Sequence, residues 1–330
     1  MTSITRLHDP ILHATVKSYS IFPIRYPRLY DLYHKAVACF WTEDEVDLST
    51  DILDWERLTD GERHFIEHVL AFFSNADGIV NENLAVRFFN DVAPQEAKFF
   101  YGFQIAVENI HAITYALLIK TYVKDQAKAD RLVDSVNTMP VIRKKAAWIR
   151  QWIDSSDATF AQRLVGMACC EMIFFSGSFC AIFWLKERGI MPGLAFSNEL
   201  ISRDEALHTE FAVTLHDHLL PENRISEEDA TAMVRAAVAV ETEFICEALP
   251  CALLGMNSTC MTEYIKFVAD RLLKQLGFKA TFGAKMPFPF MNRIGLNGSS
   301  NFFEARVSEY QRANIFKRDA DEQDHCPDDF

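Results

Sequence analysis

Glu108-Asn109-Ile110-His111 and, further along, Glu205-Ala206-Leu207-His208 decide how this chain is read. Each is Glu-x-x-His inside a long apolar run. Residues three apart on an α-helix share a face, so each segment points a carboxylate and an imidazole into one space. Helical bundles that hold a two-metal carboxylate centre are assembled from such segments. Two helices each give Glu-x-x-His, and two others each give one carboxylate. Working outward, the lone carboxylates are Asp77, within Ala71-Phe72-Phe73-Ser74-Asn75-Ala76-Asp77-Gly78-Ile79-Val80, and Glu171, within Met167-Ala168-Cys169-Cys170-Glu171-Met172-Ile173-Phe174-Phe175. Both acids stand among residues that belong in a core.

The order is acid, Glu-x-x-His, acid, Glu-x-x-His. Asp77 precedes Glu108 by 31 residues and Glu171 precedes Glu205 by 34, which is the spacing of two helical hairpins related by a rough internal repeat. Four carboxylates with two neutral imidazoles balance two divalent cations. Without metal the same cluster would be costly to bury. A lone buried Glu is ordinarily a hydrogen-bonded structural acid, and a lone helical His an ordinary surface or core residue. Six such residues in this order point instead to ligands.

The 330 residues are 49% hydrophobic and 24% charged, an ordinary globular composition. Only 12 Gly and 11 Pro, with few alternating patterns, favour long helices. The 27 Phe concentrate around the acids. A net charge of -13 lacks the basic footprint of nucleic-acid binding, so no direct nucleic-acid partner is expected. Met1 to Asp9 has no apolar signal core. Leu164 to Leu185 is long enough to span a bilayer, but Glu171 near its middle marks a buried core helix, and no membrane association is expected. The eight cysteines form no Cys-x-x-Cys pair and lie mostly in apolar helical runs, which fits a reducing cytoplasm. In that compartment the glycosylation patterns at Asn257 and Asn297 carry no meaning.

Along the chain, residues 1–25 read as irregular. Pro27 begins a helix that ends near Trp41, and Thr42 with Glu45 resembles a capping box. Asp60 caps a long helix to about Phe89, with Leu70, Phe73, Asp77, Val80 and Leu84 on one stripe. Pro94 opens a helix to about Val123, whose stripe holds Glu108, His111, Tyr115 and Leu118. Lys144 to Trp152 is amphipathic. Ala158 to Arg188 reads as one long helix, closed by Gly189, and Pro192 starts another to about Leu220. Ser226 caps a further helix, and Met261 to Leu276 forms the last. No linker divides the chain, so residues 26–310 are expected to form one helical domain. Residues 311–330, polar and acidic, cannot bury enough surface to fold alone.

Two motifs compete. His64-Phe65-Ile66-Glu67-His68 matches the His-x-x-Glu-His pattern of a zinc peptidase. His68 and Asp77 are nine residues apart, however, and so lie on opposite faces of the helix, which turns both histidines away from the core stripe. His216-Asp217-His218 reads as a solvated helix end.

Phe99-Phe100-Tyr101-Gly102-Phe103-Gln104-Ile105-Ala106-Val107-Glu108-Asn109-Ile110-His111 and Ser197-Asn198-Glu199-Leu200-Ile201-Ser202-Arg203-Asp204-Glu205-Ala206-Leu207-His208 resemble the small, radical-generating subunit of class I ribonucleotide reductase, eukaryotic type. The resemblance covers about residues 20 to 310, with a weaker match in the tail. Animal members carry a longer N-terminal extension than this sequence shows. The resemblance implies an all-α, ferritin-like helical bundle, a homodimer, and two iron ions per chain held by Asp77, Glu108, His111, Glu171, Glu205 and His208. It implies a di-iron centre that reacts with O2 to leave a stable radical on Tyr115, one turn beyond His111. Some relatives have Phe there and use a manganese–iron centre.

The resemblance further implies a hydrogen-bonded route from the surface through Trp41, Asp204 and His111, and a relay to the large catalytic subunit through Tyr310. That subunit would hold the nucleotide site and receive the C-terminal tail ending at Phe330, where Cys326-Pro327 departs from the mammalian pattern. Phe175, Phe179 and Ile201 are candidates for an apolar wall around Tyr115. A desaturase-like oxidase of the same architecture, or an iron-binding protein without radical chemistry, stays open on the residues alone.

Overall fold

In the computed structural model, residues 9–13, 19–153, 155–248 and 256–291 are described. Eleven helices of seven or more residues carry these residues, and among them no β-strand occurs. In chain order they are α1 (Pro27–Ala38), α2 (Asp51–Arg57), α3 (Asp60–Asn83), α4 (Gln95–Tyr122), α5 (Gln126–Val133), α6 (Pro140–Ile153), α7 (Phe160–Cys169), α8 (Ser176–Glu187), α9 (Pro192–His218), α10 (Glu227–Ala248) and α11 (Ser258–Gln275). Tyr310, Phe330 and the acidic tail lie outside the described residues.

The helices start where short polar side chains satisfy the first free amides. Thr59, rather than the expected Asp60, caps α3: its Oγ1 accepts from the Glu62 amide at 3.3 Å, and Glu62 Oε2 accepts from the Thr59 amide at 2.8 Å. The Thr-x-x-Glu pairing satisfies donors in both directions, and Asp60 is left as the first helical residue, paired with Arg63 at 2.7 Å. Ser226 Oγ receives the Asp229 amide at 3.1 Å, as expected. Asn257 caps α11, accepting from the Cys260 amide at 2.8 Å. The start of α9 is anchored from a distance. Asp51 accepts from the amides of Gly193 and Leu194, both at 2.8 Å, and from the Tyr122 hydroxyl at 2.6 Å. The chain reaches that point through Met191 in the left-handed region (φ 55°). A Cβ on Gly193 would lie 2.4 Å from the Asp47 carbonyl oxygen, so only glycine admits this approach.

Helix α3 packs along α4, and α7 and α8 pack along α9; α10, α11 and α1 close the sides. The interior is one continuous apolar cluster with many phenylalanines. Helices α4 and the α7–α8 stretch are long and apolar enough to cross a membrane, but the apolar window of the latter is wholly buried in this protein core.

The expected single helix from Ala158 to Arg188 is interrupted. Between α7 and α8 the backbone widens into a π-helical turn, Cys170–Phe174, which contains Glu171. A second π-helical turn, Leu84–Phe88, follows α3 before the chain finishes in Phe89–Asp91. Apolar periodicity cannot register such a turn, because the one-residue shift it introduces falls inside a stretch that is apolar all round.

His64 and His68 stand half-buried on α3, with His68 Nδ1 2.8 Å from the His64 carbonyl oxygen and Glu67 paired to Lys128 at 2.6 Å. His216 is not solvated as expected: it is buried, and its Nε2 accepts from the Ile225 amide at 3.3 Å. The return of the chain after α9 covers it.

Candidate metal centre

All six sequence-derived ligands converge in the middle of the bundle, and none is more than 4% exposed. Asp77 comes from α3, Glu108 and His111 from α4, Glu171 from the π-helical turn, and Glu205 and His208 from α9. Two groupings could each hold an ion: Asp77, Glu108 and His111; and Glu108, Glu171, Glu205 and His208. Their donor atoms lie within 4.8 Å of one another in each group.

The two Glu-x-x-His carboxylates each face both imidazoles. Glu108 sets Oε2 3.3 Å from His111 Nδ1 and Oε1 3.1 Å from His208 Nδ1. Glu205 sets Oε1 3.1 Å from His111 Nδ1 and Oε2 2.9 Å from His208 Nδ1. Glu108 and Glu205 thus stand between the two halves of the site, with Asp77 and Glu171 at its ends.

Whether these residues fit a pair of metal ions is tested by their own hydrogen bonding. Both Asp77 oxygens and Glu171 Oε2 are buried without a hydrogen-bond partner, and Glu205 Oε1 and His111 Nδ1, though 3.1 Å apart, make no hydrogen bond of good geometry. Buried polar atoms are almost always satisfied, so unsatisfied donor atoms gathered at one place are what a cation-binding set presents. Carboxylate oxygen and imidazole nitrogen suit divalent first-row metals. The donor set fits.

Protonation tells the same story. Burial raises the carboxyls of Asp77 and Glu171 well above the usual range, reinforced by Glu108 for Asp77 and by Glu205 for Glu171. Burial pulls His208 down, but Glu205 and Glu108 outweigh it and raise its pKa to about 10. His111 is likewise raised, against burial, by the carboxylates of Asp204, Glu108 and Glu205. Burial also acts to raise Glu108, but His208 and His111 hold it well below the carboxylate range. The surrounding carboxylates thus favour positive charge on both imidazoles.

The expected route is joined. Trp41 Nε1 donates to Asp204 Oδ2 at 2.7 Å, and His111 Nε2 lies 3.2 Å from the same oxygen. Asp204 is held below its ordinary pKa: burial opposes this, but His111 and then Arg203 favour the anion. A carboxylate on the far nitrogen leaves His111 Nδ1 facing the site. Tyr115 is 2% exposed, and its hydroxyl has no hydrogen-bond partner. The aromatic ring in contact with it is Phe73, 4.8 Å away between centroids; Phe175 and Phe179 form the next layer, 5.3 and 5.2 Å from Phe73. Ile201 is buried on α9.

Sequence reasoning missed Gln104. Its buried amide donates to Glu108 Oε1 at 3.2 Å and to Glu171 Oε1 at 3.4 Å. The available signal was its place four residues before Glu108 on the same helical face.

Comparison with known proteins gives the family. The family described as "Ribonucleotide reductase, small chain" matches residues 18–289. A ribonucleoside-diphosphate reductase small chain from Arabidopsis thaliana is 56% identical over 93% of this chain and 89% of its own length. The subunit M2 from Rattus norvegicus is 51% identical over 98% of this chain and 82% of its own length. Among solved structures, a ribonucleotide reductase homodimer from Saccharomyces cerevisiae superposes with a TM-score of 0.79 at 35% identity, covering 86% of this chain and 89% of that one. By sequence and fold alike, the chain belongs to the ribonucleotide reductase small chain family and is the small subunit of a ribonucleoside-diphosphate reductase.

Proposed function

We propose that Asp77, Glu108, His111, Glu171, Glu205 and His208 bind two iron ions per chain, and that the centre serves to place a stable radical on Tyr115. The observation that carries this reading is the set of buried ligand atoms without hydrogen-bond partners, with the Tyr115 hydroxyl beside them. When bound, the ions supply O2 reduction and with it the oxidising equivalent. The chain's residues do the rest. Burial first, then Asp77 and the other carboxylates, keep the Tyr115 phenol protonated until it gives up one electron and one proton. Phe73, Phe175 and Phe179 exclude water and reductants from the oxidised ring. Trp41 and Asp204 deliver electrons towards His111, and Asp204 Oδ2 holds the Nε2 proton.

The radical then starts reduction of ribonucleotides in a large catalytic subunit, reached through Tyr310 and the tail ending at Phe330. The chain acts as a homodimer. In support, α4 leaves Phe99, Gly102, Ala106, Asn109, Ile113 and Leu117 exposed along one face, a mostly apolar stripe. None of the six described cysteines is in a disulfide, in keeping with a reducing cytoplasm.

Electron paramagnetic resonance of the iron-loaded protein after exposure to O2 tests the reading. Tyr115→Phe removes only the hydroxyl; iron should bind and O2 be consumed, and the stable radical signal should vanish. An unchanged signal places the radical elsewhere. A desaturase-like oxidase or an iron store would give no such signal in the parent protein.

A further inference from the structure

Against the π-helical turn that carries Glu171 lie two buried charges that the chemistry above does not use. Lys145 on α6 and Glu241 on α10 are both 0% exposed, with Lys145 Nζ 2.6 Å from Glu241 Oε2. The ammonium also donates to the Phe174 carbonyl at 2.8 Å and rests over the rings of Phe72 (3.3 Å) and Phe244 (4.0 Å). Gly177 packs against the Glu241 carboxylate: a Cβ there would fall 2.9 Å from Glu241 Oε1.

Phe174 and Gly177 bracket the point where the π-helical turn reverts to the regular helix α8. A π-helical turn holds one residue more than an α turn, so the backbone ladder changes step there, and its polar groups need other company. The ammonium meets a carbonyl on one side of the step, and the carboxylate packs against the Gly177 backbone on the other.

Glu171 depends on this step. Its Oε2 has no hydrogen-bond partner, its Oε1 has one long contact, 3.4 Å from Gln104, and the Glu205 carboxyl stands beside it. With so few side-chain contacts, its place follows its backbone, within one turn of Phe174. A buried ion pair is a poor device for stability alone, since well-packed apolar residues usually do as well or better.

We propose that Lys145 and Glu241 are positioning residues for the metal centre: the pair clamps the end of the π-helical turn and so sets where Glu171 presents its carboxylate. The proposal rests on the two-metal reading. It leaves the Asp77–His111 half of the site untouched.

The test is an anaerobic titration of the metal-free, full-length protein with Mn(II) or Co(II), with thermal unfolding and amide hydrogen exchange recorded on the same samples. Glu171→Ala identifies the binding step that involves Glu171. Lys145→Met should weaken that same step at least about tenfold, the usual scale for outer contacts of metal ligands, and spare the other step. Amides of residues 171–177 should exchange faster in the variant, and those of α3 and α4 should not. The double variant Lys145→Met/Glu241→Leu removes both charges and guards against a single variant that fails to fold. It should recover thermal stability and keep the weakened step. Recovery of both stability and metal affinity, or equal weakening of both steps, overturns the proposal in favour of a merely stabilising pair. A parent protein that binds two ions beside unaffected variants overturns the proposal alone. A parent that binds none overturns the metal reading itself, and the proposal with it.

Discussion

The Trp41 indole and the His111 imidazole are bonded to one oxygen atom, Asp204 Oδ2, at 2.7 and 3.2 Å, and their rings lie nearly parallel with centroids 5.9 Å apart. One carboxylate oxygen thus ties a ring on the α1 side of the bundle to a candidate ligand in its middle. Asp204→Asn keeps the shape and removes the charge. Trp41→Phe removes the indole donor. Both variants should still bind metal, and turnover with the large subunit should fall roughly 10- to 100-fold. Unchanged turnover in both, in a steady-state reductase assay, removes the route.

The ligand set predicts unequal losses. Asp77→Ala removes a ligand at one end, so one ion should be lost and the other retained. Glu205→Ala removes a carboxylate that faces both imidazoles and should weaken both sites. Metal counted per chain after anaerobic loading with Fe(II) and desalting checks this; a Glu205→Ala protein that holds two ions as firmly as the parent refutes the assignment.

His68 predicts a pH effect away from the centre. Burial first, then the neighbouring His64 and Lys128, lower its pKa from 6.5 to about 4, against the His64 carbonyl contact. The unfolded chain therefore takes up the proton before the folded one does. Stability tied to His68 is fully present above pH 6.5 and is lost as pH falls towards 4. Compared with His68→Gln, the parent should lose about 2 kcal/mol more of unfolding free energy over that window, less than the full shift because the ring is partly solvated. Urea unfolding at pH 7 and pH 4.5 measures it, and parallel curves for the two proteins would refute it.

The tail yields a prediction from chemistry alone. Asp328-Asp329-Phe330 offers a terminal aromatic after two acids, suited to a small apolar recess with a basic rim. Deleting the last seven residues should leave iron and radical intact and abolish reductase activity with the large subunit, and a peptide of the tail should compete with the intact protein. Full activity of the truncated protein would place docking on the helical body.

The six candidate ligands stood out because each combines an ionisable side chain with an apolar helical stripe, and that conflict needs a reason. Asp77, Glu108, His111, Glu171, Glu205 and His208 all carried it, and all six are brought together. Gln104 did not stand out, since a neutral amide amid aromatic residues costs little and raises no such conflict. Asp204 was named only through family likeness; its neighbour Arg203 makes it look like an ordinary surface pair. The helix from Ala158 was expected to run straight through Glu171 because a segment buried on every side has no polar face to reveal a change of step. His216 was misjudged for the opposite reason: its polar neighbours in sequence suggested water, and only the fold shows residues after α9 covering it.

The π-helical turn at Cys170–Phe174 also bears on how this protein can vary in length. Losing a residue from an ordinary helix rotates everything beyond it by about 100° and scrambles its packing. Here the helix already carries one residue in excess, so a single deletion between 170 and 174 would give a smoother helix and swing Glu171 away from its partners. A swap of one apolar side chain for another along Phe160–Glu187 leaves that register alone; the loss of one residue does not.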